Sequence, residues 1–355
     1  LYTWGYGFNG QLGNNDPQTY NQSSPVLVGQ YNYERPITIT SWKSVSVGAS
    51  HTAAIAFNGI LYTWGRNDVG GPLGDGTTID KSSPVKIGSS SWITVSAGTF
   101  HTTALDINNK LWAWGFNGYG NLGNNSTSDS NSPIQIGNSK WNSLGGGYYH
   151  TTAVDSTGAL YTWGSNFVAQ LGDGTTVDKS SPVKIGSSSW TSVSVGYYQM
   201  TAIDYTSSLY SWGENFYGTL GDGTQINKSS PVKIGTSSWN IVSSGQYYST
   251  IIDKQGNLYT TGINLNGQLG DGTTVNKSSP IQVGLSQVFV KGIGTASNTS
   301  LAITTDNRLF AWGDNSQNQI GDGTTINRST PTQIYGPTVI HFQVIIEISK
   351  SQAKA

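Results

Sequence analysis

The sequence predicts an all-β fold, a seven-bladed β-propeller of four-stranded antiparallel blades, on three observations. A Trp-Gly step recurs at Trp4-Gly5, Trp64-Gly65, Trp114-Gly115, Trp163-Gly164, Trp212-Gly213 and Trp312-Gly313, and Thr261-Gly262 fills the same slot once. A Ser/Thr-Pro step tracks it at Pro25, Pro84, Pro133, Pro182, Pro231, Pro280 and Pro331, so two independent markers each count seven units. Successive glycines of the first marker lie 60, 50, 49, 49, 49 and 51 residues apart, a period that belongs to stacked repeat architectures. The third observation is composition. With 46 Gly, 12 Trp and 19 Tyr among 355 residues and only 10% charged, the chain is rich in strand and turn formers.

One full unit runs from Ser91 to Gly137 and reads as four strands. The first is Trp92 to Ala97, the second Thr102 to Ile107, the third Lys110 to Trp114, and the fourth a short one around Pro133 to Ile136. Gly ends the strands and Asn-Asn or Ser-Thr-Gly steps fill the turns. Four short antiparallel strands, repeated, read as propeller blades. Each blade then has a neighbour on both faces, which allows Leu61 and Thr63 to be buried along with Tyr62 and Trp64. Burying one Trp removes roughly 200 Å² from water, worth at most about 5 kcal/mol. The recurring Trp residues are therefore core.

The repeat is broken in three places. Gln30 to Thr40 (QYNYERPITIT) is an insertion of about ten residues and reads as a surface loop, with a contact role as the alternative. The front half of the last unit, VFVKGIGTASNTSLAI, lacks the usual Trp. The chain begins at the third strand of a unit, and the apolar segment Thr338 to Ser349 is expected to supply a strand to that unit, the alternatives being that the missing strands lie upstream of Leu1 or that the tail docks on another subunit. The domain reading is a seven-repeat propeller over 1–336 and a β-prone tail over 337–355 that closes the ring or docks on a neighbour. Residues 171–190 nearly duplicate 73–92, so shared residues define the scaffold and differing ones carry specificity.

The pattern W-x-x-V-S-x-G-x-x-H-T-x-A, then L-Y-x-W-G-x-N-x-x-G-Q-L-G-D-G-T, then S-P-V-x-I-G, resembles the repeat of the regulator of chromosome condensation family. Val95 to Leu105 with Leu111 to Gly123, and Val193 to Ile203 with Leu209 to Gly221, show it well. The resemblance spans residues 1 to about 336 and implies a seven-bladed propeller. The founding member of that family is a chromatin-bound exchange factor for a small nuclear GTPase. The family also holds a secreted bacterial inhibitor that grips β-lactamases with aromatic loop residues, and bacterial surface and phage particle proteins. No basic tail for DNA and no defined wedge for a GTPase stand out here.

Two loops vary between units, the one after V-S-x-G and the one inside W-G-x-N-x-x-G. The resemblance to the inhibitor implies that both open on one face. Phe100, Tyr119, Tyr148, Tyr149, Phe167, Tyr197, Tyr198, Phe216, Tyr217 and Tyr247 would then form an aromatic crescent for a partner. The alternative is that these rings pack sideways between blades. His51, His101 and His150 share one slot, with Gln199 and Tyr248 following; each imidazole is expected to bond to neighbouring backbone rather than to a metal. Asp75, Asp173, Asp222, Asp271 and Asp322 sit in Asp-Gly turns without the alternating carboxylates of a calcium loop. Lys81, Lys86, Lys179, Lys184, Lys228 and Lys233 read as a solvated rim.

Catalysis, metals and cofactors are not expected. The G-x-G-x-x-G matches at Gly5 and Gly118 fall in repeat turns with no helix following. Glu34, Glu214 and Glu347 are the only glutamates and form no acid–base pair, and there are no cysteines. A net charge of −1 gives no drive toward nucleic acid, and no apolar run is long enough to span a bilayer. The expected function is a non-enzymatic protein-binding or assembly module, a surface or virion protein of the phage particle kind, placed extracellularly or on a virion with the cytoplasm as alternative. Its partners are proteins, among them other structural subunits, with a glycan ligand open. The alternatives are a regulator of small GTPases of the exchange-factor kind and a carbohydrate-binding lectin.

Overall fold

The computed structural model describes residues 1–5, 7, 9–14, 22–28, 41–284, 288–294 and 298–334. The 30–40 insertion and the 337–355 tail lie outside them. Within them the chain forms an all-β propeller of antiparallel blades. Six blades have four strands in meander order, spanning 42–86, 92–135, 141–184, 190–234, 239–282 and 289–334. A further pair, Tyr2–Gly5 with Gln22–Leu27, forms a two-stranded sheet, as expected for third and fourth strands of a unit.

In the 92–135 blade the strands are Trp92–Ala97, His101–Asp106, Leu111–Gly115 and Ser130–Gln135. The second and third strands are each displaced by one residue from the sequence reading, and the fourth begins earlier. The cause is register: His101 pairs with Gly115 and Leu105 with Leu111, so the ladder opens at the histidine, a polar residue easily mistaken for loop. The fourth strand is extended by the Ser130–Gly115 pairing across a bulge.

The described residues divide into two compact units. One holds 1–165 with 178–184; the other holds 166–177 with 185 onward. Inside each, the first strands of successive blades pack on one another, which makes them the inner edge. The Ser of the V-S step ties them together: Ala97 N donates to Ser46 Oγ (2.9 Å) and Gly146 N to Ser96 Oγ (3.0 Å) in the first unit, and Ser244 N to Ser194 Oγ (2.9 Å) in the second. Second strands such as His51–Ala56 and Gln199–Asp204 are buried at every residue, because both sheet faces meet other side chains.

Core packing follows the Trp-Gly step. Trp64, Trp114, Trp163, Trp212 and Trp312 are fully buried. Four of their indole N–H groups donate to a carbonyl of the preceding repeat: Gln11 (3.0 Å), Pro72 (2.9 Å), Asn121 (3.0 Å) and Gln268 (2.9 Å). Buried Trp is tolerated when its N–H finds such a partner. The following L-G step brings backbone flat against the indole; a Cβ on Gly74 would sit 2.5 Å from Trp114 Nε1. Thr261, in the Trp slot of the 239–282 blade, is also buried and donates to Gly218 and Lys277 carbonyls at 3.2 and 2.9 Å.

The long loop between third and fourth strands is built on the Asn of W-G-x-N. In the 92–135 blade Asn117 is fully buried. Its amide donates to Asn124 Oδ1 (3.1 Å) and the Ser126 and Ser128 carbonyls (3.0 and 2.9 Å), and its oxygen accepts from Leu122 N (2.8 Å). Asn67, Asn166, Asn215, Asn264 and Asn315 repeat this clamp. The Asp-Gly turn carboxylates accept from the Thr two residues on. They also pair with the fourth strand: Lys81–Asp75 at 3.5 Å, Lys228–Asp222 at 3.2 Å, Lys277–Asp271 at 3.4 Å and Arg328–Asp322 at 2.7 Å. Lys81 and Lys228 are therefore not part of a free solvated rim; Lys86, Lys184 and Lys233 are exposed as expected.

Candidate functional site

In a four-stranded meander, the turns joining strands one and two and strands three and four lie at the same end of the blade. All ten predicted aromatic residues are on these turns. A repeated backbone bond ties the two loops together: Phe116 N donates to the Phe100 carbonyl, Glu214 N to Tyr198 and Ile263 N to Tyr247, each at 2.9 Å. The end of each blade is thus a fixed platform, and the side chains on it are what varies.

In the first unit Phe100, Tyr119, Tyr148 and Tyr149 form one cluster. Ring centroids are 5.9 Å apart for Phe100–Tyr148, 5.8 Å for Phe100–Tyr149, 4.1 Å for Tyr148–Tyr149 and 4.8 Å for Tyr119–Tyr149. Phe116 joins it, 5.3 Å from Tyr149 and 6.1 Å from Tyr119. In the second unit Phe167 lies 5.3 Å from Tyr198, Tyr197 5.9 Å from Tyr247, Tyr217 5.5 Å from Tyr247 and Phe216 5.0 Å from Tyr217. Rings from neighbouring blades do pack sideways, yet the clusters stay accessible: Tyr119 is 38% exposed, Phe167 54% and Phe216 67%, and the other seven are half-buried. Sequence reasoning missed Phe116 and Glu214. The signal was the variable residue after Trp-Gly, which the anchoring bond turns toward the same end.

The histidine slot is structural in a different way from that expected. The His51 and His101 Nε2 atoms lie 2.9 and 2.8 Å from the Thr102 and Thr151 hydroxyls, which belong to the next blade, and not against their own backbone. Those hydroxyls in turn donate to the Pro72 and Asn121 carbonyls. Gln199 and Tyr248 make comparable reaches, to the Gly245 carbonyl at 3.0 Å and to the Thr299 carbonyl. Burial pushes His51 down to about 3, His101 to about 4 and His150 to about 3; the charge of His101 adds to the effect on His51 and His150. Each imidazole is neutral at any ordinary pH. Among the described residues no three His, Asp or Glu side chains converge in a metal-binding geometry, and no helix is long and apolar enough to cross a membrane.

Comparison with known proteins agrees with this architecture. The family model described as an RCC1-like domain matches residues 1–291. Models of the regulator of chromosome condensation (RCC1) repeat match residues 306–346 and 290–319. The human X-linked retinitis pigmentosa GTPase regulator is 49% identical over 45 residues, 13% of this chain and 4% of that protein, so the chain spans only a small part of that relative's length. Human WBSCR16 superposes with a TM-score of 0.82 at 19% identity, covering 95% of this chain and 94% of the other. Prp20p of Saccharomyces cerevisiae, whose structure was described with its binding to Gsp1p and histones, gives 0.81 at 21% identity over 94% and 85%. At such identities these superpositions show the fold.

Proposed function

We propose a function from one premise: the chain belongs to the RCC1-like domain family. It is a non-enzymatic protein-recognition propeller that binds its partner through the aromatic ends of its blades, and the partner is a small GTPase. The observation that carries this reading is the pair of accessible ring clusters on platforms fixed by backbone bonds. Tyr and Phe held rigidly give large contact area at small entropic cost, the usual makeup of protein contact sites. The name of one relative favours a GTPase regulator over the virion or surface assembly protein that composition suggested, which draws no support from the matches. The two-stranded sheet and the seven Trp-Gly slots support a seventh blade, begun by Tyr2–Gly5 and Gln22–Leu27.

The test is interferometry of the immobilised chain against a panel of purified small GTPases, nucleotide-free and GDP-loaded, with release of a fluorescent GDP as second readout. Saturable binding to a member, weakened at least tenfold by Tyr119→Ala with Tyr149→Ala or by Tyr217→Ala with Tyr247→Ala, is expected; truncating a central interface aromatic costs about 2 kcal/mol or more. Binding to none, or binding indifferent to these substitutions, overturns the reading.

A further inference from the structure

Glu214 stands apart from its surroundings. It follows Trp212-Gly213 in the slot that holds Arg66, Phe116, Ser165, Ile263 and Asp314 elsewhere. The anchor from its amide to Tyr198 repeats the one from Phe116 to Phe100. In the first unit the ring in this slot rests beside Tyr119 and Tyr149. The residues in register with those two in the second unit are Tyr217 and Tyr247. A carboxylate therefore occupies the place where the other cluster puts a ring.

Its Oε2 is enclosed and has no hydrogen-bond partner, and burial raises the carboxyl above its ordinary range. An enclosed, unpaired acceptor is a cost to folding that a donor brought by a partner can offset. No cationic donor is on this platform. The segments 167–170, 197–199, 214–219, 246–248, 263–268 and 314–319 carry Glu214 and Asp314 and no Lys, Arg or His. In the 42–86 blade the same slot holds Arg66, already paired to Asp68 at 2.5 Å.

We propose that Glu214, with Tyr198, Tyr217 and Tyr247, receives a basic side chain of a protein partner, arginine in preference to lysine. A guanidinium can lie on a tyrosine face while its planar edge donates to a carboxylate; an ammonium, more strongly hydrated, does this less well. Charge complementarity gives the partner its sign, and the ring cluster gives it its shape. The inference rests on the protein-recognition reading above and adds the chemistry of the contact.

The experiment selects a random-peptide display library against the whole chain. The best peptide, and its version with citrulline replacing the basic residue, are titrated against wild type, Glu214→Gln and Tyr217→Ala/Tyr247→Ala. Melting temperatures confirm that the variants fold; Glu214→Gln keeps the shape, removes the charge and exchanges one acceptor oxygen for an amide donor. The expected result is a shared basic residue among the selected peptides. Glu214→Gln and citrulline should each weaken binding at least tenfold, a floor below what losing one member of a desolvated charge pair produces, and together no further. Peptides that need the tyrosines but carry no basic residue, or that lose affinity with Glu214→Gln yet ignore citrulline, overturn the proposal and leave the protein-recognition reading standing. Peptides that ignore the tyrosines, or no enrichment at all, overturn both.

Discussion

Acidification from pH 7 to pH 5 should destabilise this chain through His51, His101 and His150. Each is fully buried, and burial holds them at about 3, 4 and 3. Unfolded, each takes up its proton near pH 6.5. Their folded values are depressed, so the stability they contribute is complete above pH 6.5 and is lost as the pH falls toward the folded values. At pH 5 the unfolded chain gains about 2 kcal/mol per histidine from protonation that the native state forgoes, about 6 kcal/mol for the three. That figure depends only on the folded values staying at or below about 4, not on their detail. Typical domains have roughly 5–15 kcal/mol to lose. The turn aspartates also sit below their ordinary range, but unfolded carboxylates titrate near pH 4, so they dominate only under stronger acid. The assay is urea unfolding followed by Trp fluorescence at both pH values, for wild type and for the combined His51→Gln, His101→Gln, His150→Gln variant. Gln is the chain's own alternative in this slot, where Gln199 reaches the Gly245 carbonyl. Wild type should lose most of the difference and the variant little of it. A wild-type loss under about 2 kcal/mol, or an equal loss in the variant, would refute the reasoning.

Two further predictions concern the scaffold. Ala169 has φ +67° where in-register Gly71, Gly120, Gly218 and Gly267 all have positive φ, and the Trp212 indole, which rests on Gly172 of the same loop, is the one among the five without a hydrogen-bond partner. Ala169→Gly should stabilise by about 0.5–1 kcal/mol net of the added chain entropy. The reverse change, Gly120→Ala, should destabilise by more than about 1 kcal/mol, because its Cβ would come within 2.5 Å of Ser180 Cα; thermal melts of the pair decide the sign of each. Asn117→Ala removes four bonds from a buried clamp and should cost about 3 kcal/mol. Proteolysis should then nick the 118–130 loop first, and cleavage elsewhere at the same rate would count against the clamp.

Much of the fold was legible in the chain because its determinants are local and repeated. The Trp-Gly step, replaced once by Thr261-Gly262, and the Ser/Thr-Pro step mark the third and fourth strands of the repeats, and the pairings of Leu111–Gly115 with both neighbours follow from a few residues of adjacent sequence. Trp burial was readable for the same reason: a large apolar residue on a strand with no wet face has nowhere else to go. The aromatic residues were legible as candidates because they occupy the positions that differ between units.

Contacts between residues one repeat apart were a matter for the tertiary structure alone. The partner of His51 is Thr102, 51 positions on, and an imidazole beside its own backbone looks equally acceptable in a linear reading. The grouping of Phe100 with Tyr148 and Tyr149, and the burial of an unpaired Glu214 oxygen, likewise depend on how one blade's loops meet those of the next. A repeat sequence by itself determines the blade, since strand pairing and alternation are short-range. What a loop side chain touches is decided only when neighbouring blades pack, because the angle and distance between them set which side chains converge and which carboxylate is left without a donor.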